Sequence, residues 1–378
     1  MRAFVFTDKA LRRYAGQFVW LSLDVEKAEN AQYRKKYGAD ALPMFFVVDP
    51  KTEKVALRWV GGATVSQLQK ILADGLIAAK GTGRGRALDE ALARADRAYA
   101  DADYGMAAAG YKEALRLAPR DWSRSPRATE SLLFALVKTE KYSDCARISA
   151  DAVRTLEKSP SAATIAAAGL DCALQTPEKD PSRAGLLAAL KRDAESIIAR
   201  PRQDLPADDV SAVYEVLANE REWAKDEPGK KKVLQERATF LEAAAARAKT
   251  AEARAVFDSH RLGTYLELGE PERALPMLQA SERDLPGDYN PSARLAVAYR
   301  AMKKYDDAIA ASDRALAKAY GPRKLGILQT RSDIYKEMGN PEAAKKTMQQ
   351  AIELAESLPE GQRSEKTIAS LKKKLESL

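Results

Sequence analysis

YGADALPMFFVVDP, residues 37–50, combines a helix stop, a proline at the mouth of a strand, an unbroken apolar run and a turn. Gly38 closes a short helical segment over Ala28–Tyr37. Met44–Val48 is continuously apolar, the pattern of a central strand buried on both faces. Asp49-Pro50-Lys51-Thr52 is turn chemistry, and Val55–Val60 then reads as the second strand of a hairpin. Further on, Gly61-Gly62 breaks the chain and Val65–Ala79 is a closing amphipathic helix. Upstream, Phe4, Leu11 and Tyr14 are spaced as on a helix over residues 4–15, with Gly16 as its stop. Phe18–Val25, FVWLSLDV, alternates and is rich in strand formers, which predicts a buried strand. The expected order over residues 1–80 is therefore α-β-α-β-β-α.

That order and its punctuation resemble the thioredoxin superfamily. The likeness covers residues 1–80: a strand ending at Asp24-Val25, a helix ending Lys36-Tyr37-Gly38, Pro43 before the next strand, and Gly61-Gly62 before the last helix. It implies an α/β thioredoxin-like domain in which the Leu42–Pro43 bond is cis and both residues line a groove for an extended substrate backbone. It also implies a first strand and a Cys-x-x-Cys, and neither precedes the first helix here. No cysteine lies in residues 1–80. Dithiol exchange needs one sulfur to attack and one to resolve, so no catalytic residue is expected and the chain as written is expected to be inactive. The favoured explanation is a reading that starts late, at an internal methionine, with the missing strand and dithiol upstream. A degenerate domain is the alternative.

Gly81-Thr82-Gly83-Arg84-Gly85-Arg86 alternates glycine but follows a helix rather than a strand, so residues 81–87 read as a linker or helix cap, not a dinucleotide fingerprint. From Leu88 onward the period is helical. Tyr265, Leu268-Gly269, Ala274 and Leu278 recur as Tyr299, Tyr305, Ala308 and Ala315-Leu316, then as Tyr335, Gly339, Ala344, Met348 and Ala351-Ile352. The three leading tyrosines stand 34 and 36 residues apart. This resembles the tetratricopeptide repeat, whose unit is a pair of antiparallel helices with small residues where they approach. Weaker copies run through Ala95, Tyr99, Ala107 and Tyr111, and through Leu132-Leu133, Leu136, Tyr142 and Cys145. Residues 162–201 and 209–249 read as irregular hairpins, and residues 364–378 as a solvating cap. The expected organisation is a truncated thioredoxin-like domain at 1–80, a linker at 81–87, and an all-α repeat solenoid of six or seven hairpins at 88–378.

The composition, 46% hydrophobic and 31% charged, is that of a globular chain, and no run reaches the ~18 apolar residues of a membrane span. The first residues lack the tripartite pattern of a signal peptide, which makes the cytoplasm the default compartment and export conditional on an upstream start. A net charge of +8 is interleaved rather than blocked, and only 7% of residues are aromatic, so lysine runs such as Lys230–Lys232 read as solvated helix faces and nucleic acid is not expected. Cys145 and Cys172 read as small packing residues, a bridge between neighbouring hairpins being the alternative. His260 has no partners at ligand spacing, and no metal or cofactor is expected. What remains is protein or peptide binding. In the repeat family the first helix of each unit lines the concave face, which here offers Ser259, Glu267, Asn290, Arg300, Gln329, Asp333 and Lys336. Two functions follow: a thiol–disulfide protein whose repeats recruit clients, with its dithiol upstream, or a non-enzymatic adaptor. A solenoid regulator of signalling or secretion is a weaker third.

Overall fold

The computed structural model describes residues 5–38, 43–60, 62–80 and 86–378. In chain order they form a 3-10 turn at Lys9–Tyr14, helix α1 (Ala31–Tyr37), strands β1 (Met44–Val48) and β2 (Val55–Val60), and helix α2 (Val65–Lys80). Helical pairs follow: α3 (Arg86–Ala100) with α4 (Tyr104–Leu117), α5 (Ser125–Lys138) with α6 (Tyr142–Thr155), α7 (Ala162–Gln175) with α8 (Arg183–Ala199), and α9 (Ala207–Trp223) with α10 (Glu227–Ala246). After the single turn of α11 (Ala251–Ala255) come α12 (Asp258–Leu268) with α13 (Leu275–Asp284), α14 (Asn290–Ala301) with α15 (Tyr305–Lys318), and α16 (Arg323–Glu337) with α17 (Pro341–Ser357). Helix α18 (Glu365–Glu376) closes the chain. Seven helical hairpins occur among the described residues, where six or seven were expected.

The helix starts follow local chemistry. Asp103 accepts from the Met106 amide to cap α4, and Asn340 accepts from the Ala343 amide with Pro341 as the first residue of α17. Each such cap is worth about 1 kcal/mol. Inside the pairs, Ala308, Ala311, Ala315, Ala344 and Ala351 are fully buried, which is what lets the second helix of a unit approach the first.

The chain divides into two compact units. The first comprises residues 1–19 and 37–237. Here β1 and β2 pair antiparallel, Met44 opposite Val60 and Val48 opposite Val55, with a bulge between Val47 and Val48. Leu57 and Trp59 of β2, Leu68, Ile71 and Leu72 of α2, and Leu11 and Tyr14 of the 3-10 turn bury one apolar cluster. Each such side chain contributes about 1.5–3 kcal/mol. Tyr14 donates to the Gln69 carbonyl at 2.8 Å and so pins the turn to α2. Because strand side chains alternate, Arg58 faces the other way, towards α3 and α5. The helices α3 to α9 share a second apolar core, running from Ala91 to Leu217.

The second unit comprises residues 20–36 and 238–378. Its repeats bury Tyr265, Leu278, Leu295 and Ala298, and further along Met348, Ile352 and Leu371. Residues 24–36 lie against the turns that join α15 to α16 and α17 to α18. Arg323 donates to Asp24 at 2.8 Å and to Glu26 at 2.7 Å, and Tyr320 donates to Asp24. Gln362 donates to the carbonyls of Val25 and Lys27 at 3.0 and 2.9 Å. Two glycines make room for this strap: a Cβ on Gly321 would stand 2.5 Å from the Glu26 carbonyl oxygen, and one on Gly361 2.0 Å from that of Ala31.

Several expectations for residues 1–80 need correction. The helix over 4–15 contracts to the 3-10 turn Lys9–Tyr14. Phe18–Val25 is not a strand, and Val19, Trp20, Leu21 and Leu23 are exposed rather than buried. Asp24 and Val25, the end of that stretch, are held by Tyr320, Arg323 and Gln362 instead of by a sheet. Among the described residues the sheet has two strands only. Accordingly β1 is half-buried along its length, not buried on both faces. The Leu42–Pro43 bond, Gly61 and most of the 81–87 linker lie outside the described residues. Cys145 and Cys172 are also corrected. They form a disulfide, with Cα atoms 5.9 Å apart, joining α6 to α7. Both are indeed fully buried packing residues, but the interface that buries them also brings their sulfurs together.

Candidate protein-binding site

In the second unit the first helices of successive repeats are α12, α14 and α16, with α18 in the next position. Arg300 on α14 reaches Asp333 on α16 at 3.2 Å and Glu337 at 2.6 Å. Lys374 on α18 meets the other oxygen of Asp333 at 2.8 Å. Lys336, exposed, donates to the Ser377 carbonyl at 3.1 Å. Of the residues singled out from the sequence, Arg300 and Asp333 therefore meet in a row of alternating charge with Glu337 and Lys374, while Lys336 turns to the Ser377 carbonyl. Burial works against the Arg300 charge, yet the bonds to Glu337 and the charge of Asp333 outweigh it and raise its pKa.

The remaining predicted residues are placed less favourably for a common site. Ser259 and Glu267 are exposed on α12, one repeat away. Asn290 is spent on the turn before α14, where its backbone and side-chain nitrogens both donate to Asp288, at 2.9 and 2.8 Å. Gln329 sits half-buried on α16 with a long bond to the Leu325 carbonyl, 3.4 Å. Pro43 is exposed immediately before β1. His260 is half-buried, and its backbone carbonyl accepts from Thr264 at 2.8 Å. The tyrosines marking the repeats are structural: Tyr265 donates to Glu242 at 2.7 Å, and Arg331 donates to the Tyr335 hydroxyl at 3.1 Å. Among the described residues no cluster of three metal-ligating side chains occurs, and no helix is long and apolar enough to cross a membrane.

The first unit holds two features that the sequence reading missed. Glu130 on α5 and Asp209 on α9 carry strongly raised pKa values, about 8 and about 7. Burial is the main cause for each; the neighbouring carboxylates Asp209 and Asp208 respectively add to it, and bonds with Ser161 and Thr164 oppose it. Asp209 lies in the first turn of α9, and its neighbours on α5 and α7 are far away in sequence. The second feature joins β2 to α3 and α5. Arg58, 1% exposed, stacks its guanidinium 3.4 Å from the centre of the Tyr99 ring. Arg127 donates to the Arg58 carbonyl and grips Asp96 with two nitrogens at 3.0 Å, while Tyr111 donates to Asp96 at 2.7 Å. Arg124 pairs with Asp74 of α2 and Asp89 of α3 at 3.4 and 2.9 Å.

Residues 289–357, which are α14 to α17 with the turn before them, match the family model described as tetratricopeptide repeat. The chain therefore contains tetratricopeptide repeats, in the segment where the tyrosine and alanine spacing is most regular. No curated protein matches the chain. Among solved structures, a tetratricopeptide repeat protein from Parabacteroides merdae is 14% identical, covering 77% of this chain and all of its own, with a TM-score of 0.46. The Cut9–Hcn1 hetero-tetramer of the APC/C is 15% identical over 80% of this chain and 54% of its own, TM-score 0.36. The TPR2AB domain of yeast Sti1, in a complex with pHSP90, is 16% identical over 78% of this chain and all of its own, TM-score 0.29. All three superpose loosely.

Proposed function

We propose that this protein is a non-enzymatic adaptor that binds a segment of a partner protein on the first-helix face of α12, α14 and α16. The observation that carries the reading is the repeat match over 289–357 together with the polar row on its first helices. The second helices spend their residues on the buried alanines, whereas the first helices keep Gln329 and Lys336 within reach of solvent. Arg300 and Asp333 serve that face by fixing α14 against α16 rather than by waiting free for a ligand. Peptides selected from a random library against the full chain test this. Replacing Gln329 by Ala and Lys336 by Glu together should weaken them at least about tenfold, the loss expected when central contacts of an interface are removed. Peptides whose affinity ignores both substitutions contradict the reading.

A second reading concerns residues 1–80. The β1–β2 hairpin, the closing helix α2 and Pro43 just before β1 support a thioredoxin-like origin, while the unformed strand over Phe18–Val25 counts against it. In either case the only cysteines, Cys145 and Cys172, are buried in a disulfide remote in sequence from that segment. The chain as given should therefore not reduce insulin, and measurable turnover in that assay would overturn the adaptor reading. Disulfides persist in oxidising compartments, so the bridge favours export over the cytoplasmic default.

A further inference from the structure

The contact between β2 and the first helices of unit 1 has the make-up of a ligand site. Tyr99 presents its ring face to the Arg58 guanidinium, and Tyr104 and Phe134 flank that ring, with centroids 5.1 and 5.7 Å away. A guanidinium over an aromatic face is attracted by the negative face of the ring, and the more so where water is excluded. Arg127, held by Asp96, reads the main chain of the same residue by donating to the Arg58 carbonyl. A side-chain receptor beside a main-chain donor is how grooves recognise an extended segment. We propose that the β1–β2 hairpin is an autoinhibitory occupant of this face: Arg58 fills, from within the chain, a site on α3 and α5 that otherwise takes an arginine from an extended segment of a partner.

This inference rests on the adaptor reading and extends it to the first-helix face of unit 1. Two observations make the occupant displaceable. The Nε and Nη1 of Arg58 find no hydrogen-bond partner among the described residues, and Nη2 has only the Met44 sulfur at 4.0 Å. A buried cation with unmet donors is costly to hold, the more so near a second cation, Arg127, whose own carboxylate partner is Asp96. In addition, Arg58 projects from the face of β2 opposite to Leu57 and Trp59. The hairpin can therefore leave α3 with its apolar cluster on α2 intact, α2 moving with it at the cost of the Arg124–Asp74 pair.

The probe is a fluorescein-labelled peptide of residues 53–60, EKVALRWV, added to the full-length chain. If the face is open in a tenth of molecules, its apparent affinity is reduced about tenfold. Arg58→Ala should recover that factor in fluorescence anisotropy, and Tyr99→Ala added to it should abolish binding. In the wild-type chain, saturating peptide should speed amide exchange across the β1–β2 ladder, a readout that needs no variant. Equal affinity for wild type and Arg58→Ala, or a ladder whose exchange ignores the peptide, overturns the proposal. Failure here with library-selected peptides still bound to unit 2 removes the autoinhibitory contact alone; failure of both removes the adaptor reading as well.

Discussion

The two units use the same helical hairpin and hold it together differently. In the first, the α6–α7 junction is crossed by a buried disulfide and the α3–α5 junction by the buried Arg58–Tyr99–Asp96–Arg127 cluster. In the second, adjacent first helices are tied by half-exposed pairs such as Arg300–Asp333 and Asp333–Lys374. Each unit also takes in a piece of the N-terminal eighty residues, the hairpin and α2 in one, residues 20–36 in the other. The first unit is thus fastened by buried, specific contacts, and the second by half-exposed pairs between neighbouring repeats together with the strap over residues 24–36. The comparison can be broken at each kind of fastening.

The largest effect is expected at the bridge. Cys145→Ala with Cys172→Ala opens a loop of 27 residues, worth about 3.5 kcal/mol by loop entropy. Chemical denaturation followed by amide exchange should show the loss in α5 to α8 and none in α14 to α17. The strap is next. Gly361→Ala or Gly321→Ala drives a methyl into the backbone of Ala31 or Glu26 and should cost roughly 1–3 kcal/mol, read as faster exchange of residues 24–36 with the repeats unchanged.

A smaller effect follows pH. Glu130 and Asp209 have folded-state pKa values raised to about 8 and about 7, so the folded chain holds protons that the unfolded chain releases near pH 4. Their contribution is complete below that pH and is lost as pH rises through 7 to 8. Both carboxyls are buried among their neighbours but keep some access to solvent, which screens them, so the pair should cost the first unit roughly 1 kcal/mol between about pH 4 and 8. Glu130→Gln should flatten the slope, and thermal melts between pH 5 and 9 measure it. Least of all, Arg300→Ala should cost under about 1 kcal/mol, and the difference should shrink in high salt.

This contrast also explains what the sequence could reveal. The repeats at 265–352 were legible because Tyr265, Tyr299 and Tyr335 and the buried alanines act within one unit or its neighbour. The hairpin, α2 and the α1 stop were legible for the same local reason. Phe18–Val25 misled because alternation predicts a strand only where a sheet receives it, and its end is instead fixed by Tyr320, Arg323 and Gln362, about three hundred residues on. For the candidate site, the resemblance to the repeat family put Arg300, Asp333 and Lys336 on first helices, but the sequence did not reveal that Arg300 and Asp333 pair across two repeats. Arg58 gave no signal, since a cation in an apolar strand is interpretable only beside Tyr99 and Asp96.

The most direct test of the adaptor reading is a photo-crosslinking footprint. A library-selected peptide carrying a benzophenone, irradiated with the full chain, should attach to α12, α14 or α16, and attachment should fall when Gln329 and Lys336 are replaced. Attachment confined to α13, α15 and α17, or spread evenly over the surface, would contradict it.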